Sequence, residues 1–216
     1  MSSCLLPCDV EGGHIHPRPL RDSGFVELDP RLLATPFAVQ TNWHVITGAA
    51  SCGKTTLLSM LAAQGFWTVA ETARSRIERE LAKGQPLADT LRLATAQRAI
   101  HETPLQAEGG LRAMDVVFFD RGLPDCLYFW RLAGLDPNAI LPECFRRRYA
   151  SVFILDRLLL QLDGARVNDD VHTDLLDDGL VRVYGALGYD VVRVPVLSRQ
   201  DRVPFILEGL SEQRLI

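Results

Sequence analysis

The segment Gly48-Ala-Ala-Ser-Cys-Gly53-Lys54-Thr55 constrains this chain more than any other, because it satisfies every fixed position of the pattern G-x-x-x-x-G-K-[ST]. Each fixed position has a physical reason. Gly48 and Gly53 allow backbone angles and a closeness of approach that a side chain would forbid. The N–H groups between them can turn inward as a nest for an anion, and the helix that follows adds the positive end of its dipole. Lys54 brings a movable positive charge to the β and γ phosphates of a nucleoside triphosphate, and the Thr55 hydroxyl suits a magnesium ion. The predicted nucleotide-binding set is Gly48, Ala49, Ala50, Ser51, Cys52, Gly53, Lys54, Thr55 and Thr56. By average usage such a match arises by accident on the order of once in a hundred chains of this size.

The same loop approximates a dinucleotide fingerprint, with Gly48, Ala50 and Gly53 at the glycine positions and Glu71 placed to grip a ribose. The middle alanine would crowd a pyrophosphate and leave Lys54-Thr55 without a task, which favours the triphosphate reading.

The context of the loop decides the fold class. Trp43 to Thr47 is a β-rich run, and Lys54 to Gln64 has the apolar spacing of a helix. Strands are predicted at Phe66 to Ala70, Val116 to Phe119, Ser151 to Leu155 and Asp190 to Val194. Helices are predicted at Thr72 to Lys83, Pro86 to His101, Leu123 to Leu132, Ala139 to Tyr149 and after Ser198. Strands that alternate with helices and are apolar on both faces imply a three-layer α/β fold with a mostly parallel sheet.

Residues 1–40 are rich in Pro, Gly and polar side chains without a clean period, and read as a loosely ordered extension before a domain spanning 41–214. Cys4, Cys8, His14 and His16 lack the paired spacing of a structural zinc site.

A chain of 216 residues suits one sizeable α/β domain. Its net charge of −4 offers no broad basic field for nucleic acid. No apolar run reaches the roughly 20 residues of a membrane span, the N-terminus lacks a signal-peptide pattern, and five scattered cysteines suit a reducing compartment. A cytoplasmic location is the expectation.

Asp120 closes the apolar run Val116-Val117-Phe118-Phe119, a placement suited to a carboxylate of the magnesium shell. Arg121, rather than a water-activating glutamate, follows it, which favours transfer to an acceptor other than water and points Arg121 toward that acceptor. Glu71 ends the second strand, where a carboxylate could take the proton of an acceptor hydroxyl, with Arg74 on the same face to hold the acceptor. Arg166, in the turn Asp163-Gly164-Ala165-Arg166, could reach the phosphates from a lid. The catalytic set is thus Lys54, Glu71, Asp120 and Arg166, the acceptor set Glu71, Arg74 and Arg121, and the metal pair Thr55 and Asp120. Asp169, Asp170, Asp174, Asp177 and Asp178 read as an acidic, solvated stretch.

The blocks ITGAASCGKTTLL, VAETAR, FFDRGLPDCLYFWRLAG, DGAR and YGALGYDVVRV together make the chain from Trp43 to Leu210 resemble the AAA_28 (NadR/Ttd14 AAA domain) family. That family includes the ribosylnicotinamide kinase domain of NadR. The resemblance implies a P-loop kinase fold with sheet order 2-3-1-4-5, nucleotide at Gly48 to Thr55, magnesium near Thr55 and Asp120, and an acceptor near Glu71 and Arg74. It also supports Arg166 as a phosphate contact. The expected activity is transfer of the γ-phosphate of Mg-ATP to a small hydroxylated, nucleoside-like metabolite. The alternative is a switch, binding module or ATPase that uses ATP or GTP without such an acceptor. The guanine-reading segment N-K-x-D is absent from the sequence.

Overall fold

In a computed structural model of the protein, residues 28–49, 52–70, 107–132, 135–157 and 170–213 are described. The expected helices over 72–83 and 86–101 and the turn at 163–166 lie outside them. The described chain runs α1 (Pro30–Leu33), β1 (Val39–Gln40), β2 (Trp43–Thr47), α2 (Lys54–Ala63), β3 (Trp67–Val69), β4 (Val117–Asp120) and α3 (Leu123–Leu132). It continues through two 3₁₀ turns to β5 (Arg147–Arg148), β6 (Ser151–Leu155), α4 (Asp170–Ala186), β7 (Val191–Val194) and α5 (Arg199–Gln213).

Five strands form one parallel sheet in the order β3-β4-β2-β6-β7, which is 2-3-1-4-5 when only these strands are counted in chain order. The centre of the sheet is dictated by sequence. Every residue of β2, β4 and β6 is buried, as expected of parallel strands covered on both faces. Alternation along the strands divides two cores. Val45, Phe119, Val152 and Ile154 face the layer that contains α3 and α4, while Ile46, Phe118, Phe153 and Leu155 pack with residues of α2 and α5. Each fully buried side chain of this size contributes about 1.5–3 kcal/mol. The sheet thus holds its carboxyl edge, where β2 and β4 end, as a rigid rim.

Gly179 sets the close packing of α4 on α3. A Cβ there would lie 1.9 Å from Cε2 of Tyr128, a ring that is itself 1% exposed. Glycine inside a helix costs about 1 kcal/mol relative to alanine, and the seating of a tyrosine against the backbone offsets it.

Residues 28–40, part of the stretch whose composition reads as an extension, pack on the domain. Leu28 is fully buried, and the Phe37 ring lies 5.2 Å from Phe145 and 5.6 Å from Tyr189. The local signal is Asp29 before Pro30: the aspartate caps α1 by accepting from the Arg31 N–H, and proline occupies the first helical position. Strand β1 then pairs with β5.

The helix expected over 139–149 does not form. Two 3₁₀ turns, Pro137–Ala139 and Leu141–Phe145, lead directly into β5. Pro142 explains the break, since it has no N–H to continue an α-helical ladder, whereas a proline in the first positions of a 3₁₀ turn is tolerated. Among the described residues no helix is long and apolar enough to cross a membrane.

Candidate functional site

The phosphate-loop motif sits where β2 ends and α2 begins. Gly48 leaves the strand at φ 128°, and a Cβ there would come within 2.9 Å of the Leu155 carbonyl oxygen, so both angle and space require glycine. Gly53 takes the left-handed conformation, φ 95°, as the cap of α2. It offers no side chain to the helix N-terminus, and the first turn of α2 holds no acidic residue. Among the described residues no side chain caps the leading N–H groups of α2, an arrangement that suits an outside anion, which the helix dipole favours. Ala50 and Ser51 lie outside the described residues.

Lys54 is 7% exposed and bends back over the loop. Its Nζ donates to the Gly48 carbonyl at 3.0 Å and the Ala49 carbonyl at 2.6 Å, and lies 3.6 Å from the Cys52 sulfur. The ammonium is held by partial charges that a phosphate, with full charges, would outcompete. Thr55 and Thr56 are exposed in the first turn of α2.

Asp120, 8% exposed, ends β4 opposite Ile46 of β2, and so reaches the rim one strand away from the loop. Among the described residues no group of three His, Cys, Asp or Glu side chains forms a metal cage. Magnesium needs none, since it keeps waters and takes one or two protein oxygens together with phosphate. A hydroxyl at Thr55 and a carboxylate at Asp120 are donors of that hard-oxygen kind, and the pair fits the ion.

Arg121 is held in a sparsely populated conformation, φ 68°, by the bond from its N–H to the Ile46 carbonyl at 3.0 Å. Such a conformation costs about 1–3 kcal/mol and persists only where the surroundings over-determine it. Here they do. Its Nη1 donates to Asp125 at 3.2 Å, and the guanidinium lies 5.1 Å from the centre of the Phe129 ring.

Asp125 is the hub that sequence reading passed over, although its i,i+4 spacing from Arg121 was a signal. It is 1% exposed and accepts from four donors: the Thr47 hydroxyl, Arg121, the Gly122 N–H at 3.0 Å and the Tyr184 hydroxyl at 2.5 Å. The next amide, Leu123 N–H, is taken by the Tyr149 hydroxyl at 3.0 Å, and Tyr149 in turn donates to Glu108. The N-terminus of α3 is thus capped from within, in contrast to that of α2.

Asp177 departs from the expected solvated acidic stretch. It is 7% exposed, lies beside the Ala49 N–H of the loop, and among the described residues its Oδ1 has no hydrogen-bond partner. Asp178 beside it is exposed. Burial raises the carboxyl above its ordinary 3.8, against the opposing pull of the Ala49 N–H, Arg193 and Lys54 and with Asp156 adding to the rise. The folded state then binds the proton more tightly than the unfolded one, so this group's contribution is fully present below 3.8 and is lost as pH rises through its raised folded value. Asp177→Asn is expected to be at least as stable as wild type at neutral pH, with the gap closing in acid. Urea unfolding at a series of pH values checks this, and an asparagine variant that is clearly less stable at neutral pH contradicts it.

Glu71, Arg74 and Arg166 lie outside the described residues, so the structure brings together Lys54, Thr55, Asp120 and Arg121 of the expected set.

The model of the AAA_28 family, described as an AAA domain, matches residues 43–202. The chain belongs to that family. The family match takes in both β2, with its loop, and Arg202 near the start of α5. Among solved structures, NadR in complex with NR superposes with a TM-score of 0.58 at 18% identity, over 82% of this chain and 52% of that one. NadR in complex with NAD and AMP-PNP gives 0.52 at 18%, over 79% and 50%. The chain therefore spans about half the length of the NadR structures it matches. Deoxyadenosine kinase from M. mycoides, with the products dCMP and dCDP, gives 0.51 at 14% identity, over 79% of this chain and 99% of that one. Among curated proteins none matches in sequence. By family the protein is an AAA-domain protein, and its fold is the one it shares with the NadR and deoxyadenosine kinase structures.

Proposed function

We propose that this AAA_28 protein is a cytoplasmic kinase that transfers the γ-phosphate of Mg-ATP to a hydroxyl of a small, nucleoside-like metabolite. The observation that carries the reading is the helix N-terminus at Gly53, which has no side-chain cap among the described residues, with the Lys54 ammonium folded back onto the loop carbonyls of Gly48 and Ala49. Arg121, where a water-activating glutamate would stand, supports transfer to an acceptor rather than to water. Two of the solved structures with this fold have NR and deoxynucleotide products in their complexes, which supports a nucleoside-like acceptor.

In this mechanism the loop amides and Lys54 hold the β and γ phosphates and orient them, and chemistry follows from positioning and charge neutralisation. Thr55 and Asp120 would hold magnesium, which when bound neutralises charge on the phosphate oxygens. Arg121, steered by Asp125, faces the acceptor side; Glu71 is assigned the proton of the acceptor hydroxyl, Arg74 the acceptor and Arg166 the transferring group.

The test is magnesium-dependent ADP release from ATP, and in parallel from GTP, across a panel of nucleosides headed by nicotinamide riboside. The expected result is release that rises with one acceptor by at least about ten-fold over the acceptor-free rate. Tight nucleotide binding with no acceptor-dependent turnover would replace the kinase by a nucleotide-dependent switch.

A further inference from the structure

Arg202, near the start of α5, has no part in the mechanism above, yet it is 6% exposed and committed to two carbonyls. Its Nη1 donates to the Cys52 carbonyl at 3.0 Å and its Nε to the Leu197 carbonyl at 3.2 Å. One acceptor lies in the phosphate loop, 150 positions away in sequence, and the other in the segment that follows β7. A guanidinium can serve two acceptors in one plane from a fixed fork, which a lysine ammonium does less well.

The bond to Cys52 has a stereochemical consequence. No peptide bond among the described residues is cis, and in a planar trans peptide the carbonyl and the following N–H point in opposite directions. A Cys52 carbonyl drawn toward α5 therefore turns the Gly53 N–H away from α5. Gly53, at φ 95°, is the residue about which such a peptide could most easily rotate. A rotated peptide would present a carbonyl oxygen where the phosphate nest needs a donor. The clamp is thus placed on a peptide that borders a positive-φ glycine.

We propose that Arg202 is a positioning residue that aims the Gly53 N–H at the phosphate chain without touching the nucleotide itself. The inference rests on the reading of Gly48 to Thr55 as a triphosphate site. It assigns the role to phosphate recognition, not to the base.

Calorimetric titration of ATP and of inorganic triphosphate into the wild-type chain, Arg202→Met and Arg202→Lys tests it. Each variant is titrated at a temperature where circular dichroism shows it folded. The expected result is about ten-fold weaker binding of both ligands by Arg202→Met, with Arg202→Lys in between because one donor can still reach Cys52. Should the methionine variant not fold, the lysine variant alone decides, with both ligands weakened in the same ratio. Unchanged affinity in a folded variant, even with a lowered melting temperature, leaves Arg202 a structural residue and overturns the inference. Weakened ATP with unchanged triphosphate overturns it too, since the effect would lie at the base. A wild-type chain that binds neither ligand defeats the triphosphate reading itself, a result distinct from the others.

Discussion

Lys54→Met is expected to lower acceptor-dependent turnover by about a thousand-fold, while the melting temperature stays within a few degrees of wild type, roughly a 1 kcal/mol change. The fold should tolerate the change for local reasons. Methionine has a similar unbranched length and fills irregular space well. The two carbonyls that lose a donor, Gly48 and Ala49, each weaken the loop by about 1 kcal/mol, but a buried charge is removed with them, which offsets part of that cost. Turnover has no such compensation. In phosphoryl transfer the charge to be stabilised is spread over the γ-phosphate oxygens, and a fixed cation in a partly water-excluded site supplies several kcal/mol that solvent cannot replace. ADP release with the best acceptor, measured alongside a thermal melt by circular dichroism, separates the two effects. A folded Lys54→Met protein whose turnover stays within about ten-fold of wild type would remove Lys54 from the chemistry.

The parts of this structure that could be read in the sequence are those set by local pattern. Strand β2 and helix α3 fall at the predicted residues, because a β-rich run before a glycine and the apolar spacing in LPDCLYFWRL each admit one local solution. The phosphate-loop motif could be seen for a related reason, since its eight positions are consecutive in the chain. What escaped depends on which remote element packs on which. Aspartates in α4 look alike in sequence, and only the docking of that helix beside Ala49 buries Asp177 and leaves Asp178 in solvent. Arg202 acts across 150 positions, where no periodicity reaches. The helix expected at 139–149 failed in a different way: its apolar spacing was real, but Pro142 overrode it, and the same apolar residues are buried from 3₁₀ turns instead. Asp125 lay within the block FFDRGLPD that marked the family, and its role became visible only when Tyr184, 59 positions on, was seen to share it.

Asp125→Ala should cost about 3–5 kcal/mol of folding stability, the largest loss expected from any single change at this rim. The alanine removes the one carboxylate on which a guanidinium, two hydroxyls and an amide N–H converge. Arg121, whose side chain is 13% exposed, then keeps its charge without this counter-charge, and its strained backbone loses one of the contacts that hold it. Asp125→Asn separates charge from shape. Its amide keeps an accepting oxygen on one side but turns an NH₂ group toward donors on the other, so an intermediate loss of about 2 kcal/mol is expected. Tyr184→Phe withdraws a single donor and leaves three, for a loss of about 1 kcal/mol. Urea unfolding of the three variants, with unchanged m values, should give that order. Equal losses for alanine and asparagine would mean that charge pairing with Arg121 carries the hub. A loss below about 1 kcal/mol for the alanine variant would mean that the four bonds do not act together, and that contacts other than Asp125 hold Arg121.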